Sequence, residues 1–295
     1  MVMKKGNSRR TALKQMLAAG AGIALAPAVG LAAEEKAAST TMKGNINHSV
    51  CRWTYGHLSL DQLCIVAKEI GIKAIDLVGP KEWEVLKKHG LDSSMCNGAE
   101  INLVHGFNNT TYHQKLVENY SAMIPLVAKA GYKNLICFSG NRDGMDDETG
   151  LQNSVIGLKK ILRLAEKHGV VLTMELLNSR VDHKDYMCDR SVWGIELCKR
   201  LGSENFKLLF DIYHMQIDEG DIIRSIKNNY FYYGHYHTAG NPGRHELDEN
   251  QELNYPAIMK AIHATGFKGY VAQEFIPAAT DKIASLRNAV NLCDI

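Results

Sequence analysis

Residues 68–79 read KEIGIKAIDLVG, and residues 166–177 read EKHGVVLTMELL. In both, a charged helical end closes on a glycine and an apolar run begins at once. The same punctuation recurs at 87–96 (KKHGLDSSMC), 128–140 (AKAGYKNLICFSG), 199–211 (KRLGSENFKLLFD) and 263–275 (HATGFKGYVAQEF). Gly71, Gly90, Gly131, Gly169, Gly202 and Gly266 can take the left-handed conformation that ends a helix. Lys, Arg or His in the turn before suits the negative end of the helix dipole. Two further strand patterns, NINHSVCRW at 45–53 and YFYYGHYHTAG at 230–240, complete a set of eight.

The segments between these strands read as helices. Ser59 and Gln62 can form a capping box before LDQLCIVAKEI. Leu151, Val155, Leu158, Ile161, Leu162 and Ala165 recur at helical spacing. Alternating strand and helix implies a parallel sheet. Eight such units in the part of the chain from residue 46 to 295 predict a (β/α)8 TIM barrel as a single catalytic domain. The alternative, an open doubly wound sheet, usually carries a glycine-rich phosphate turn after its first strand. The turn here is Trp53-Thr54-Tyr55-Gly56-His57, which is not one.

The chain ahead of the barrel has a different character. Residues 1–35 read MVMKKGNSRRTALKQMLAAGAGIALAPAVGLAAEE. Lys4, Lys5, Arg9 and Arg10 form a basic region, an Ala/Gly-rich apolar stretch runs from Met16 to Ala33, and small residues surround Ala32 and Ala33. This is the layout of a cleaved export signal over residues 1–33. The run from Ser8 to Lys14 resembles the twin-arginine signal, with Ala12 where Phe is usual. It implies export by the twin-arginine translocase to the periplasm, with no membrane association after cleavage. A retained anchor is the alternative, although such a stretch is weakly hydrophobic for a spanning helix. Residues 34–45 (EEKAASTTMKGN) read as a linker.

Composition narrows the function classes. The formal net charge is +2, so the chain lacks the strongly basic face of a nucleic-acid reader. The seven cysteines are odd in number and form no CxxC, so no disulfide framework is indicated. They read as small buried apolar residues. The sequence does not fix the oligomeric state and is compatible with a homo-oligomer.

In a barrel the active site lies at the C-terminal ends of the strands. Four consecutive strand patterns end in residues that can bind a cation: Glu175 in VVLTMELLN, Asp211 in FKLLFDIYHM, His237 in YYGHYHTAG and Glu274 in GYVAQEFIP. Buried carboxylates without partners are costly and repel one another. A divalent cation resolves both problems, and this donor set suits Mn²⁺, Mg²⁺, Co²⁺ or Zn²⁺. His235 shares the inward face with His237 but lies deeper, and reads as a packed, hydrogen-bonded core histidine. His214, at the start of the loop after strand six, can reach a substrate or cap the next helix. Arg244 sits after a Pro-Gly turn, where it can clamp a substrate oxygen or pair with Glu246 or Asp248.

The runs FDIYHM (210–215), GHYHTAGNPGRHELDENQELNY (234–255) and GYVAQEF (269–275) resemble the xylose-isomerase-like TIM barrels. The nearest branch is that of hydroxypyruvate isomerase and the ketose 3-epimerases. ELLNSRVDHKDYMCD (175–189) and LICFSGNRDG (135–144) fit hydroxypyruvate isomerase in particular. The resemblance implies that Glu175, Asp211, His237 and Glu274 hold one divalent metal, with Glu175 and Glu274 as acid and base. It also implies that His214 and Arg244 contact substrate oxygens, and the substrate would be a small sugar or keto-acid. Hydroxypyruvate isomerases tend to have Gln where His237 stands, and the epimerases tend to have His. Gln251 stands where the family usually has Gly.

The expected reaction is isomerisation of a small hydroxy-carbonyl compound through a cis-enediolate. A ketose 3-epimerase or a sugar lyase or dehydratase could use the same site. A metal-dependent, endonuclease-like hydrolase would need more ligands. His105, after strand three, is the residue that keeps it open and is otherwise expected among the substrate contacts. A non-catalytic sugar-binding barrel is the remaining alternative.

Overall fold

The computed structural model describes residues 42–295. The expected export signal at 1–33 and residues 34–41 of the expected linker lie outside the described residues. Eight parallel strands close into a barrel in sequence order. They are β1 (Asn47–Cys51), β2 (Ala74–Val78), β3 (Asp92–Cys96), β4 (Asn134–Cys137), β5 (Val171–Glu175), β6 (Phe206–Asp211), β7 (Tyr233–Thr238) and β8 (Tyr270–Gln273). Closure comes from β1 pairing with β8, Asn47 to Tyr270 through Val50 to Gln273. The (β/α)8 reading of the glycine repeat therefore holds.

The helices form where the sequence places them. Helix α1 (Leu60–Ile70) opens with the Ser59–Gln62 capping box and ends at Gly71, whose φ of 98° is left-handed. Its apolar stripe of Leu63, Cys64, Ala67 and Ile70 is buried against the barrel. Helix α4 (Asp147–His168) starts four residues before the periodic stretch. The Asp146 carboxylate caps it by accepting from the backbone N–H of Thr149. Among the described residues no helix is long and apolar enough to cross a membrane. All seven cysteines are buried and free, as small core residues.

Residues 42–45, expected in the linker, are tied to the barrel. The Lys43 backbone N–H donates to Asp294 at 2.8 Å, and the Asn45 side chain donates to the Ile295 carbonyl at 2.8 Å. The chain thus joins the last residues of the domain before β1 begins.

His48, on β1, is buried at this end, with Nε2 3.7 Å from Asp294 and no hydrogen bond to either ring nitrogen. Burial pushes its pKa down to about 4. An unfolded chain takes up a proton there near pH 6.5, before the native state does. Stability from this group is complete above that pH and falls as pH drops toward 4. We expect this to cost about 3 kcal/mol across the window. Urea unfolding of wild type and His48→Leu at pH 7 and pH 4.5 checks it: the variant should lose markedly less stability on acidification. Equal losses in both proteins would show that His48 is not responsible.

Candidate functional site

The site sits at the C-terminal ends of β5 to β8, and strand register sets it. Asp211 pairs with His237, and Glu175 pairs with Leu209 one strand over. Glu274 follows β8 directly, its backbone N–H donating to the Thr238 carbonyl at 2.9 Å. One donor atom from each of Glu175, Asp211, His237 and Glu274 lies within 4.8 Å of all the others, and the four residues are buried. Sequence reasoning named these four, and the fold brings them together.

His237 is the hub. Its Nδ1 lies 2.9 Å from Glu274 Oε2, 3.2 Å from Glu175 Oε1 and 3.8 Å from Asp211 Oδ2. Only the Glu274 contact is aligned as a hydrogen bond, and Glu175 Oε1 has no partner. Burial opposes the charge on His237, but Glu274 and its other neighbours hold its pKa well above the ordinary value.

The three carboxylates are not equivalent. Burial raises the Asp211 pKa to about 8, with the Glu274 charge adding to the effect. Burial raises the Glu175 pKa as well. For Glu274, burial is overridden by the charges of His237 and Arg244, which keep it well below the usual carboxylate range. Arg244 Nη2 donates to Glu274 Oε2 at 2.6 Å, and Trp53 Nε1 donates to Oε1 at 2.9 Å. Glu274 is the pinned carboxylate, and Glu175 keeps a free oxygen.

Arg244 reaches inward from the loop after β7, with a positive φ of 60°. Its guanidinium lies 5.2 Å from the Trp53 ring and 5.7 Å from the Tyr213 ring. It pairs with Glu274, not with Glu246 or Asp248; Glu246 instead accepts from Ala278, Ala279 and Ser285. Arg244 Nε is buried without a partner.

His214 is not in a loop. It lies in helix α6 (Ile212–Asp218), which continues directly from β6, with Asp211 as N-cap accepting from the His214 backbone N–H at 2.9 Å. The cap is thus the Asp211 carboxylate, and the imidazole is fully buried. Asn178 accepts from the backbone N–H groups of Val181 and Asp182, which fixes its amide the right way round. Its nitrogen therefore donates to His214 Nδ1 at 2.6 Å, leaving the proton of the neutral ring on Nε2. Burial, then the Arg244 charge, keep His214 neutral by lowering its pKa well below the ordinary value. Nε2 lies 3.8 Å from Asp211 Oδ2, without a hydrogen bond.

His105 does not join this cluster. β3 ends at Cys96, and His105 lies in the long connection to helix α3 (His113–Ala130), its ring 4.4 Å from that of Tyr112. Asn102 bonds its backbone and ring, so it serves the loop's own structure. His235 is buried as expected, with Nε2 2.9 Å from Asp76 Oδ2.

A cavity of about 270 Å³ opens over the cluster, lined by Trp53, Leu77, Leu103, Phe138, Glu175, Leu177, His183, Arg244 and Glu274. Sequence reasoning missed Trp53, Asn178 and His183. It also left Asp76 unassigned, although a carboxylate inside the buried run AIDLV was a visible signal.

The crowding of charge has a measurable consequence. A raised carboxylate pKa means the native state holds a proton the unfolded chain has lost, so stability falls as pH rises from about 4 toward 8. Asp211→Asn keeps an N-cap acceptor and removes one buried negative charge. At pH 9 the metal-free variant should be more stable than wild type by about 1–2 kcal/mol, a Tm increase of roughly 2–8 °C. Its divalent-cation binding should weaken. An unchanged or lower Tm would mean that the carboxylates do not repel.

Comparison with known proteins agrees with this architecture. A 2-oxo-tetronate isomerase from Cupriavidus necator is 38% identical over 115 residues, 39% of this chain and 44% of that protein. The chain thus spans less than half the length of that relative. The hydroxypyruvate isomerase of Escherichia coli K12 is 25% identical over 232 residues, 75% of this chain and 89% of that one. A crystal structure of an AP endonuclease, family 2, from Brucella melitensis superposes with a TM-score of 0.73 at 22% identity, over 82% of this chain and 97% of that one, a likeness of fold. Residues 64–289 match the family described as xylose isomerase-like TIM barrel, and the chain belongs to that family.

Proposed function

We propose that this protein is a divalent-metal-dependent isomerase that interconverts a small hydroxy-carbonyl compound, a short sugar or keto-acid. The observation that carries the proposal is the buried cluster of Glu175, Asp211, His237 and Glu274, with donor atoms within 4.8 Å of one another. The Oε1 of Glu175, buried in this site without a hydrogen-bond partner, suits a cation ligand. The donor set of carboxylates and one imidazole suits Mn²⁺, Mg²⁺, Co²⁺ or Zn²⁺. When bound, such an ion would supply Lewis acidity toward the substrate carbonyl.

The chain's own residues then divide the work. Glu175, with its raised pKa, accepts a proton from the carbon beside the carbonyl. The electron pair of that C–H bond moves into a cis-enediolate. The hydroxyl proton passes to the former carbonyl oxygen and Glu175 or Glu274 returns a proton to the neighbouring carbon, so no oxidant or reductant is needed. The Arg244 guanidinium, which lines the cavity, is a donor for the developing negative oxygen. Leu77, Leu103, Phe138 and Leu177 give the cavity an apolar wall that limits water. The names of the two isomerase relatives support the same reaction class.

Ketose 3-epimerisation is the second reading, favoured by an imidazole at position 237. It differs in where the proton returns: to the opposite face of the same carbon.

Proton NMR in deuterated water, with Mn²⁺-reconstituted protein and a panel of ketoses, aldoses and short keto-acids, separates these readings. Wild type should wash out a C–H signal, and the carbon affected identifies isomerisation or epimerisation. Glu175→Gln and Glu274→Gln, assayed at saturating metal with metal content measured, should each lose exchange by about 10²-fold or more. Full exchange in either variant defeats the two-glutamate scheme. Binding without any exchange in wild type would indicate a sugar-binding barrel.

We also propose that residues 1–33 direct export to the periplasm through the twin-arginine translocase. The basic residues Arg9 and Arg10 ahead of the apolar stretch support this. Expressed in a bacterium with that translocase, the full chain should appear in the periplasmic fraction cleaved near Ala33. Replacing Arg9 and Arg10 by Lys should hold it in the cytoplasm. Periplasmic accumulation of the Lys variant would argue for a different route.

A further inference from the structure

We propose that Asp76 is a positioning residue for the cluster: it holds a proton on His237 Nε2 and so keeps the Nδ1 lone pair for the cation. The inference rests on the metal-site reading given above.

Asp76 is fully buried on β2, opposite Cys51 in the strand register. Its Oδ1 lies 3.0 Å from His237 Nε2 in hydrogen-bond geometry. Its Oδ2 accepts from Ser94 Oγ at 2.6 Å, and Ser94 Oγ lies 2.5 Å from Ser49 Oγ. Since Ser94 donates to the carboxylate, Ser49 donates to Ser94, and the chain of donors runs toward Asp76. His235 packs against the same oxygen at 2.9 Å. The carboxylate is therefore fixed on both oxygens, with no freedom to turn away from His237.

The two sides of the His237 ring compete for protons. Nδ1 faces Glu274, Glu175 and Asp211, while Nε2 faces Asp76. A neutral imidazole carries one proton, and only the bare nitrogen can ligate a metal. Without Asp76, the acceptors around Nδ1 would draw that proton and block the lone pair. With it, a bare Nε2 would set its lone pair against a buried carboxylate 3.0 Å away. The proton stays on Nε2, and Nδ1 is left to the cation. This is the role that a carboxylate behind a metal-bound histidine plays generally, and its loss typically weakens metal binding 10–100-fold.

Two measurements test this on the full chain. The first is Mn²⁺ titration of metal-stripped wild type and Asp76→Asn. The second is ¹⁵N NMR of the histidine rings in the Zn²⁺-loaded proteins. Wild type should show His237 metallated at Nδ1 with a proton on Nε2. Asp76→Asn, folded by circular dichroism, should bind Mn²⁺ about 10–100-fold more weakly. Its His237 resonances should lose the single-tautomer pattern, which a loss of packing alone would not produce. Mn²⁺ affinity within twofold of wild type, or a wild-type ring metallated at Nε2, overturns the inference while the metal site stands. If wild type takes up neither ion, the metal-site reading fails first and this inference fails with it. Should Asp76→Asn not fold, the wild-type spectrum alone decides.

Discussion

Three buried carboxylates share one small space at the mouth of this barrel, and much of the local structure answers to them. Glu175, Asp211 and Glu274 are each nearly inaccessible to water. Ionised together without compensation, they would push one another toward protonation. Positive charge reaches them from two directions. His237 comes from the strand between their strands, and Arg244 comes from the loop above. The result is graded: Glu274 is held ionised, while Asp211 and Glu175 shift upward. Carboxylates held in such tension cost the fold stability.

The fold converts strand register into chemical geometry. Parallel pairing between β6 and β7 sets Asp211 beside His237, and the last bond from Thr238 to Glu274 sets the height of the third carboxylate. Asp211 has two tasks, since one oxygen caps α6 and the other faces the cluster. That leaves it little conformational freedom. The loop after β5 is secured separately: Arg142 grips Asp189 through two nitrogens, and Ser179 donates to the same carboxylate at 2.6 Å. This loop carries Asn178, which donates to His214, and His183, which lines the cavity. Loop residues held this way act with the precision usually reserved for strands.

The sequence was most legible where the physics is local. A helix end needs a residue that tolerates left-handed backbone, and Gly71 and Gly169 mark those points without reference to the rest of the chain. The Ser59–Gln62 cap is local in the same way. The four cluster residues could be read because a charge in an apolar strand run demands a partner. Asp76 satisfies the same criterion but was not singled out, since its partners His235 and His237 lie about 160 residues later and only barrel closure makes them neighbours. Trp53 was similarly opaque, because its indole is aimed at Glu274 by the turn between β1 and α1, 221 residues away in sequence. The position of His105 was unreadable for the opposite reason. The connection from Cys96 to His113 has no periodicity, so nothing in it indicates which way a side chain turns.

Within a family whose barrel is shared across differently named proteins, the cluster of Glu175, Asp211, His237 and Glu274 cannot by itself select a substrate. The discriminating surface must be the part of the cavity that does not touch the cluster. Here that surface is one-sided. Leu77, Leu103, Phe138 and Leu177 form an apolar wall, while His183 and Arg244 supply the polar contacts. At about 270 Å³ the space is below the range usual for drug-sized ligands. A compact molecule of a few carbons, polar along one edge and bare along the other, meets both conditions. On the proposed reading, selectivity belongs to the loops and apolar strand ends, and chemistry to the charged ends of β5 to β8.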